Sequence, residues 1–333
     1  MPVYRKAMHG LGEEVRFLAI NALRRWGSEL THEECIDLEK EVEKHPDDSA
    51  LRVILLGYYL LAATRSGSAR KNRYRHILWL VANAPEVAVL GGPHLALDPF
   101  LDGEIYEQAK ELWRRQIEAN PDNMTILDNA ARAFTHSDME FSKWLWKKAQ
   151  RLEPENPKWS QRLGSLLGLG AKQSLAELER AYGQTADELG RFWLLPGLAT
   201  AALHAEELEK AQAYASEVLR QAEQPEYFYH KNGSAIHYGH LVLGRLALRS
   251  GNREMAKLHL LESGKTEGVP HLCTFGPNMM LAKELLECGE REAVIQYLDL
   301  CTNFWQTADH RPERWIHEIQ RGQMPDFGAN LVY

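Results

Sequence analysis

Three stretches of this chain place small or apolar residues at one common set of offsets, and that recurrence limits the fold more than any single motif does. Counting from Leu243, offsets of 1, 4, 8, 13 and 17 give Gly244, Ala247, Gly251, Ala256 and Leu260. From Leu281 they give Ala282, Leu285, Gly289, Val294 and Leu298, and from Leu198 they give Ala199, Ala202, Glu206, Ala211 and Ala215. A leucine beside a small residue, with a third apolar side chain one turn on, lets a helix lie close against a partner. The small residue at offset 13 does the same from a second helix. Offset 8 falls between the two, where glycine accepts the positive φ of a tight turn. The pattern predicts helical hairpins repeated along the chain.

Two further copies are less regular. Ala130, Ala131 and Phe134 lead one residue early to Ser142 and Trp146, while Leu163, Gly164 and Leu167 lead to Ala176 and then Arg180. Successive starts lie 33, 35, 45 and 38 residues apart, so the unit is near 34 residues with insertions, the largest carrying EQPEYFYHKNGSA. Pro121 and Pro154 fall where second helices should stop. Long segments repeat apolar residues at three and four, with no strict alternation of β-branched residues, so the fold class is all-α. At 333 residues and 44% hydrophobic content, the chain has material for two cores or for one architecture that grows by repetition.

The residues PKWSQRLGSLL (Trp159, Leu163, Gly164, Leu167) and ELEKAQAYASEVL resemble the tetratricopeptide repeat, a 34-residue helical hairpin with a tryptophan, a leucine-glycine pair, two alanines and a closing proline. Leu167 stands where that repeat carries tyrosine. The resemblance covers residues 106–308 and implies a right-handed helical-hairpin solenoid, a superhelix that presents a concave groove to a protein partner. The C-terminal half also resembles uncharacterised bacterial chains of this type. Residues 1–105 fit less well and are expected to form an irregular helical cap. There the basic turn TRSGSARKNRYR interrupts the expected second helix after Leu56-Gly57, and glycines and prolines punctuate Val89 to Pro99. Residues 309–333 predict one amphipathic helix, whose Trp315, Ile316 and Ile319 cover the last repeat, and an extended tail.

Each helical residue adds 100°, so the arc opposite the packing leucine carries Asp128, Asn129, Arg132 and His136, then Gln161 and Arg162, Arg245 and Arg249, and Lys283 and Glu287. The resemblance makes this arc a groove lining. Five cations against two anions then predict a basic groove for an acidic peptide in a protein of net charge −7. Asn129 and Arg132 are placed to hold a peptide backbone and a carboxylate, as such residues do in family members that clamp acidic peptide tails. The expected activity is non-enzymatic: a protein-interaction scaffold.

Two alternatives have their own residues. A metal-dependent enzyme or metal-binding module would centre on His237, His240 and His271, since histidines three apart share a helix face, although no further ligand pattern accompanies them. An RNA-binding surface would use Arg65, Arg70, Lys71, Arg73 and Arg75 with Tyr74, which the overall charge disfavours. His94, Asp98, Asp102 and Glu104 are read as a solvated loop rather than a cation site. The chain lacks phosphate-loop, dinucleotide and nucleophile-elbow motifs, so no cofactor is expected. Cys35, Cys273, Cys288 and Cys301 have no metal-finger spacing and are expected as free thiols. No membrane span is expected, and the N-terminus lacks the order of a secretory signal, which points to the cytoplasm. Of the tryptophans, Trp113, Trp146 and Trp159 are expected in the core and Trp144 at the surface.

Overall fold

The computed structural model describes residues 13–92, 95–166, 168–224, 232–266, 268–305 and 307–332, with side chains from Asn21 onward. Among them are seventeen α-helices and no strand, and no helix is long and apolar enough to cross a membrane. The chain divides into two compact units, residues 1–155 with 166–168, and residues 156–165 with 169–333.

The first unit contains α1 (Glu13–Ser28), α2 (His32–Lys44), α3 (Ser49–Ala62), α4 (Gly67–Asn83), a 3-10 turn (Ala88–Gly91), α5 (Gly103–Ala119), α6 (Met124–Ala133) and α7 (Met139–Leu152). Thr31 and Glu34 close a capping box that starts α2, and the Asp48 carboxylate accepts from the amides of Ala50 and Leu51 to start α3. α3 carries Val53, Ile54, Leu55 and Leu56 in succession, all wholly buried. A helix apolar around its whole circumference must be surrounded; α1, α2 and α4 pack on it.

The basic segment after α3 is not the irregular turn expected. Its helix begins at Gly67, capped by Ser66 Oγ, and runs through all of Arg70, Lys71, Arg73 and Arg75. The cap offsets the poor local propensity, and the cations find places in the fold: Arg73 donates to the Ala96 carbonyl, Arg75 pairs with Glu39.

The second unit contains α8 (Pro157–Gly164), α9 (Ala171–Gln184), α10 (Glu188–His204), α11 (Leu208–Ala222), α12 (Gly233–Arg249), α13 (Arg253–Ser263), α14 (Pro270–Thr274), α15 (Met280–Glu287), α16 (Arg291–Thr302) and α17 (Arg311–Gln320). Helices α8/α9, α10/α11, α12/α13 and α15/α16 pack as sequential neighbours. The register holds residue by residue in the copies from Leu198 and Leu281, while in the copy from Leu243 both Leu243 and Ala247 are only half-buried. Leu198, Ala199, Ala202, Ala211, Ala215, Ala256, Leu260, Leu281, Ala282, Leu285, Val294 and Leu298 are wholly buried, and each leucine among them contributes roughly 1.5–3 kcal/mol of transfer free energy.

The three inter-helix turns close in the same way. Glu206, Gly251 and Gly289 adopt φ of 61°, 80° and 87°. In each, the next amide bonds back to the carbonyl at offset 4: Glu207 to Ala202, Asn252 to Ala247 and Glu290 to Leu285. This is the Schellman closure, which satisfies carbonyls left over at the helix end.

The copy that begins at Leu163 departs from the register. α8 ends at Gly164, Ala176 faces solvent, and Leu175, Leu178 and Ala181 fill the interior instead. Leu167 lies outside the described residues. At the C-terminus, Trp315 and Ile319 of α17 bury against the Tyr297–Phe304 region, with Ile316 partly covered. The tail is docked rather than extended. Asn330, buried, donates to the carbonyls of Phe275 and Pro277 and its own carbonyl accepts from the amide of Met279.

Candidate functional site

The residues expected to line a basic groove are held largely by their own fold. In the first unit, Asn129 is buried and its side-chain amide donates to the carbonyls of Pro85 and Val87 at 2.9 and 3.3 Å. A Cβ added to Gly91 would lie within 3.2 Å of both Asn129 and Arg132. The segment around the 3-10 turn therefore covers the arc of α6 that the helical wheel leaves open, and Asn129 does clamp a peptide backbone, that of its own chain. Asp128 is also buried and accepts from Trp146 Nε1 at 3.0 Å. His136 remains exposed.

In the second unit Gln161 is exposed and Arg162 half-buried. Arg245 on α12 forms a fork with Glu284 on α15, with Nη2 2.7 Å from the carboxylate and only 14% of the side chain exposed. Arg249 reaches Glu206 at 3.0 Å, and Lys283 lies 3.8 Å from Glu287. Lys210–Glu179 and Lys257–Glu290 likewise join residues of different hairpins. The charge excess read from the sequence shrinks because Glu284 and Glu206 lie off the arc that was counted.

The C-terminal histidines do not converge. His237 is wholly buried, and its Nδ1 donates to the Ser263 carbonyl at 3.0 Å. His240 is hydrogen-bonded to His259, Nδ1 to Nδ1 at 3.0 Å, while His271 stacks on Tyr238. Burial drives the His237 pKa down to about 4 against the Ser263 bond, and burial with the His259 charge brings His240 to about 4. These are neutral core imidazoles near neutral pH. Among the described residues, no group of three or more His, Cys, Asp and Glu side chains is placed to hold a metal.

A different cluster stands out in the first unit, where α2, α3 and α4 enclose an open cavity of about 730 Å³. At its floor Glu39 accepts from Tyr59 at 2.7 Å, from His76 Nε2 at 3.0 Å and from Arg75 at 2.5 Å. Asn72 donates to the Tyr59 oxygen, and Cys35 lies 3.5 Å from it. Arg52 donates to His76 Nδ1 at 3.3 Å and to the Pro46 carbonyl at 2.8 Å, with its guanidinium 3.9 Å above the Trp79 ring. Arginine can only donate, so Nδ1 of His76 accepts and Nε2 carries the proton directed at Glu39.

Burial alone would raise the Glu39 carboxyl, but hydrogen bonds from His76 and Tyr59 and the nearby cations outweigh it and bring its pKa down to about 2. Burial lowers His76 and raises both the Tyr59 phenol and the Cys35 thiol. Neither oxygen nor sulfur is thereby activated as a nucleophile at neutral pH. The floor is a connected polar network in which Arg52 Nε, buried, is left without a hydrogen-bond partner. The lining of the cavity mixes apolar side chains at Ile36, Tyr58 and Leu61 with polar ones such as His32, Ser66 and Ser68, and includes Lys40, Arg65 and Arg75 as well as Glu43.

No family model matches this chain, and no curated protein matches it. The reading of the site therefore rests on the cavity and its side chains. Sequence reasoning passed over Glu39, Arg52, Tyr59 and His76 because they come from three helices and share no spacing. One signal was available: Arg52 opens the apolar run LRVILLGYYLLA, and a cation on a helix buried all round needs partners inside. The basic run did contribute residues that line the cavity, Arg65 from the turn before Ser66 and Arg75 from α4. All four cysteines are free thiols, Cys35 and Cys301 buried, Cys273 and Cys288 half-buried.

Proposed function

We propose that this chain is a non-enzymatic interaction protein that holds an acidic, apolar-anchored segment of a protein partner in the cavity between α2, α3 and α4. The second unit, in this reading, is a tetratricopeptide-like array of right-handed hairpins that provides a stiff body. What supports the site is the cavity itself: an open concavity of about 730 Å³ that offers the apolar side chains of Ile36, Tyr58 and Leu61 beside Arg65. Leu61 and Ile36 are large apolar side chains left exposed there, which is the arrangement that anchors a partner while the rim steers it. Arg245, Arg249 and Lys283 of the second unit already face carboxylates, and so do two of the cations here, Lys40 with Asp37 and Arg75 with Glu39, which leaves the steering to Arg65.

Selection from a random peptide library on the full chain tests the reading. Recovered peptides should carry an aromatic or aliphatic residue flanked by Asp or Glu, and Leu61→Asp or Arg65→Glu should abolish their capture while Arg245→Gln leaves it unchanged. Capture that survives both cavity substitutions would sink the assignment.

A further inference from the structure

The first unit also displays a complementary feature. Between the 3-10 turn and α5, Phe100 and Leu101 project with 94% and 79% of their surface exposed. An isolated exposed leucine means little, but these two are adjacent and stand on a turn that is locked. The Asp98 carboxylate accepts from the amides of Phe100 at 2.7 Å and Leu101 at 3.0 Å. The Asp102 carboxylate accepts from the Asp98 amide at 2.7 Å, the Asp102 amide donates back to the Asp98 carbonyl at 2.8 Å, and Tyr74 on α4 donates to Asp102. The fold thus holds two bare apolar side chains in place. Around them stand Asp98, Asp102 and Glu104.

We infer that the Phe100–Leu101 turn of one copy docks in the α2–α3–α4 cavity of a second copy, so that the chain self-associates. The inference rests on the proposed binding role of that cavity and names its occupant. The turn matches the cavity in kind: an apolar pair flanked by carboxylates meets the apolar side chains of Ile36, Tyr58 and Leu61 beside Arg65, while Lys40 and Arg75 already pair with Asp37 and Glu39. The rim also holds Glu43, and Glu39, whose charge is paired with Arg75 and which accepts hydrogen bonds from His76 and Tyr59. The turn enters ordered, so little conformational entropy is lost on docking. Tyr74, which braces the turn, sits on α4 between the cavity-lining Asn72 and Arg75. Turn and cavity therefore share one helix, and a two-fold pair can exchange both contacts and close.

Sedimentation velocity of the full chain, up to roughly 1 mM where a small interface becomes populated, tests this with two variants. The first, Phe100→Ser with Leu101→Ser, removes the knob at exposed positions. The second, Leu61→Asp with Arg65→Glu, removes the hole at exposed positions. The wild type should shift toward a dimer with concentration, and each variant alone should remain monomeric. An equimolar mixture of the two variants should recover a 1:1 dimer, because one copy keeps a hole and the other a knob. A wild type that stays monomeric, variants that self-associate like wild type, or a mixture that fails to pair would overturn self-docking. If library peptides still need Leu61 and Arg65 while the wild type is monomeric, only the occupant is wrong; if they do not, the cavity reading falls as well.

Discussion

The crossing of α1 with α3 and the hairpins of the second unit both bring helices close at glycine, yet they do so against different atoms. A Cβ added at Gly27 would lie 1.8 Å from the Ile54 carbonyl oxygen, and one at Gly57 would lie 2.0 Å from the Arg24 carbonyl oxygen. At Gly244 in α12 the nearest atom would instead be Leu281 Cδ2 at 2.4 Å, and at Gly164 in α8 it would be Leu178 Cγ at 2.6 Å. Backbone cannot step aside without moving a helix, whereas a leucine side chain has other rotamers. Polar groups differ in parallel. The first unit sets Glu39 against the wholly buried His76 and the exposed Arg75; the second buries His237 and shields the Arg245–Glu284 pair.

The largest expected effect breaks or keeps this contrast directly. Gly27→Ala should cost about 3 kcal/mol or more, and Gly244→Ala about 1–2 kcal/mol through repacking of Leu281. Urea midpoints measure both, and equal losses would erase the distinction.

Acid should sharpen it next. His237 has a folded-state pKa of about 4 against 6.5 when unfolded, so the unfolded chain binds the proton more readily and stability falls as pH drops from 6.5 toward 4. The loss for a wholly buried imidazole is at most on the order of 3 kcal/mol. His240, also near 4, and the similarly lowered His204, His259 and His271 add to it in the second unit, while His76 does so in the first. Glu39 titrates later, its contribution present above 4.5 and lost toward pH 2. Stability measured in steps through this range should slope most between 6.5 and 4, and His237→Asn should flatten the slope; an unchanged slope in the variant refutes the assignment.

Smaller effects separate the ion pairs. Arg245→Gln should cost about 1–2 kcal/mol because its fork with Glu284 is mostly shielded. Arg249→Gln should cost about 0.5 kcal/mol or less, its partner Glu206 being exposed. The smallest effect has the opposite sign. Glu206 holds φ of 61° where the equivalent hairpins use glycine, so Glu206→Gly should stabilise by about 0.5–1 kcal/mol in thermal unfolding, net of the lost surface pair.

Much of the second unit was legible beforehand. Offsets 13 and 17 from Leu281 and Leu198 landed on wholly buried side chains, and offset 8 landed on left-handed turns even where glutamate replaced glycine. Trp113, Trp146 and Trp159 are buried as expected, and Trp144 is exposed, stacked on Phe141. The candidate site was far less legible. Asn129 reads as a groove residue on a helical wheel, but a wheel cannot know that residues 85–91 cover that face. The first unit's Leu56-Gly57 looks like another hairpin pair, yet Gly57 meets α1 rather than the helix that follows it.

The sequence by itself determined the helical class and, for the copies from Leu198, Leu243 and Leu281, the turns and most of the interior residues; the α8–α9 pair was misjudged. Those contacts join residues within one hairpin, so they recur at a fixed spacing and leave a period to read. Tertiary structure alone decided the α1–α3 crossing, the Glu39 network, the partners of Arg245 and Arg249, and the cavity between α2, α3 and α4. Each joins residues from separate helices, such as Gly27 with Ile54 or Glu39 with His76. Contacts of that kind repeat nowhere along the chain, and only the packed helices bring them together.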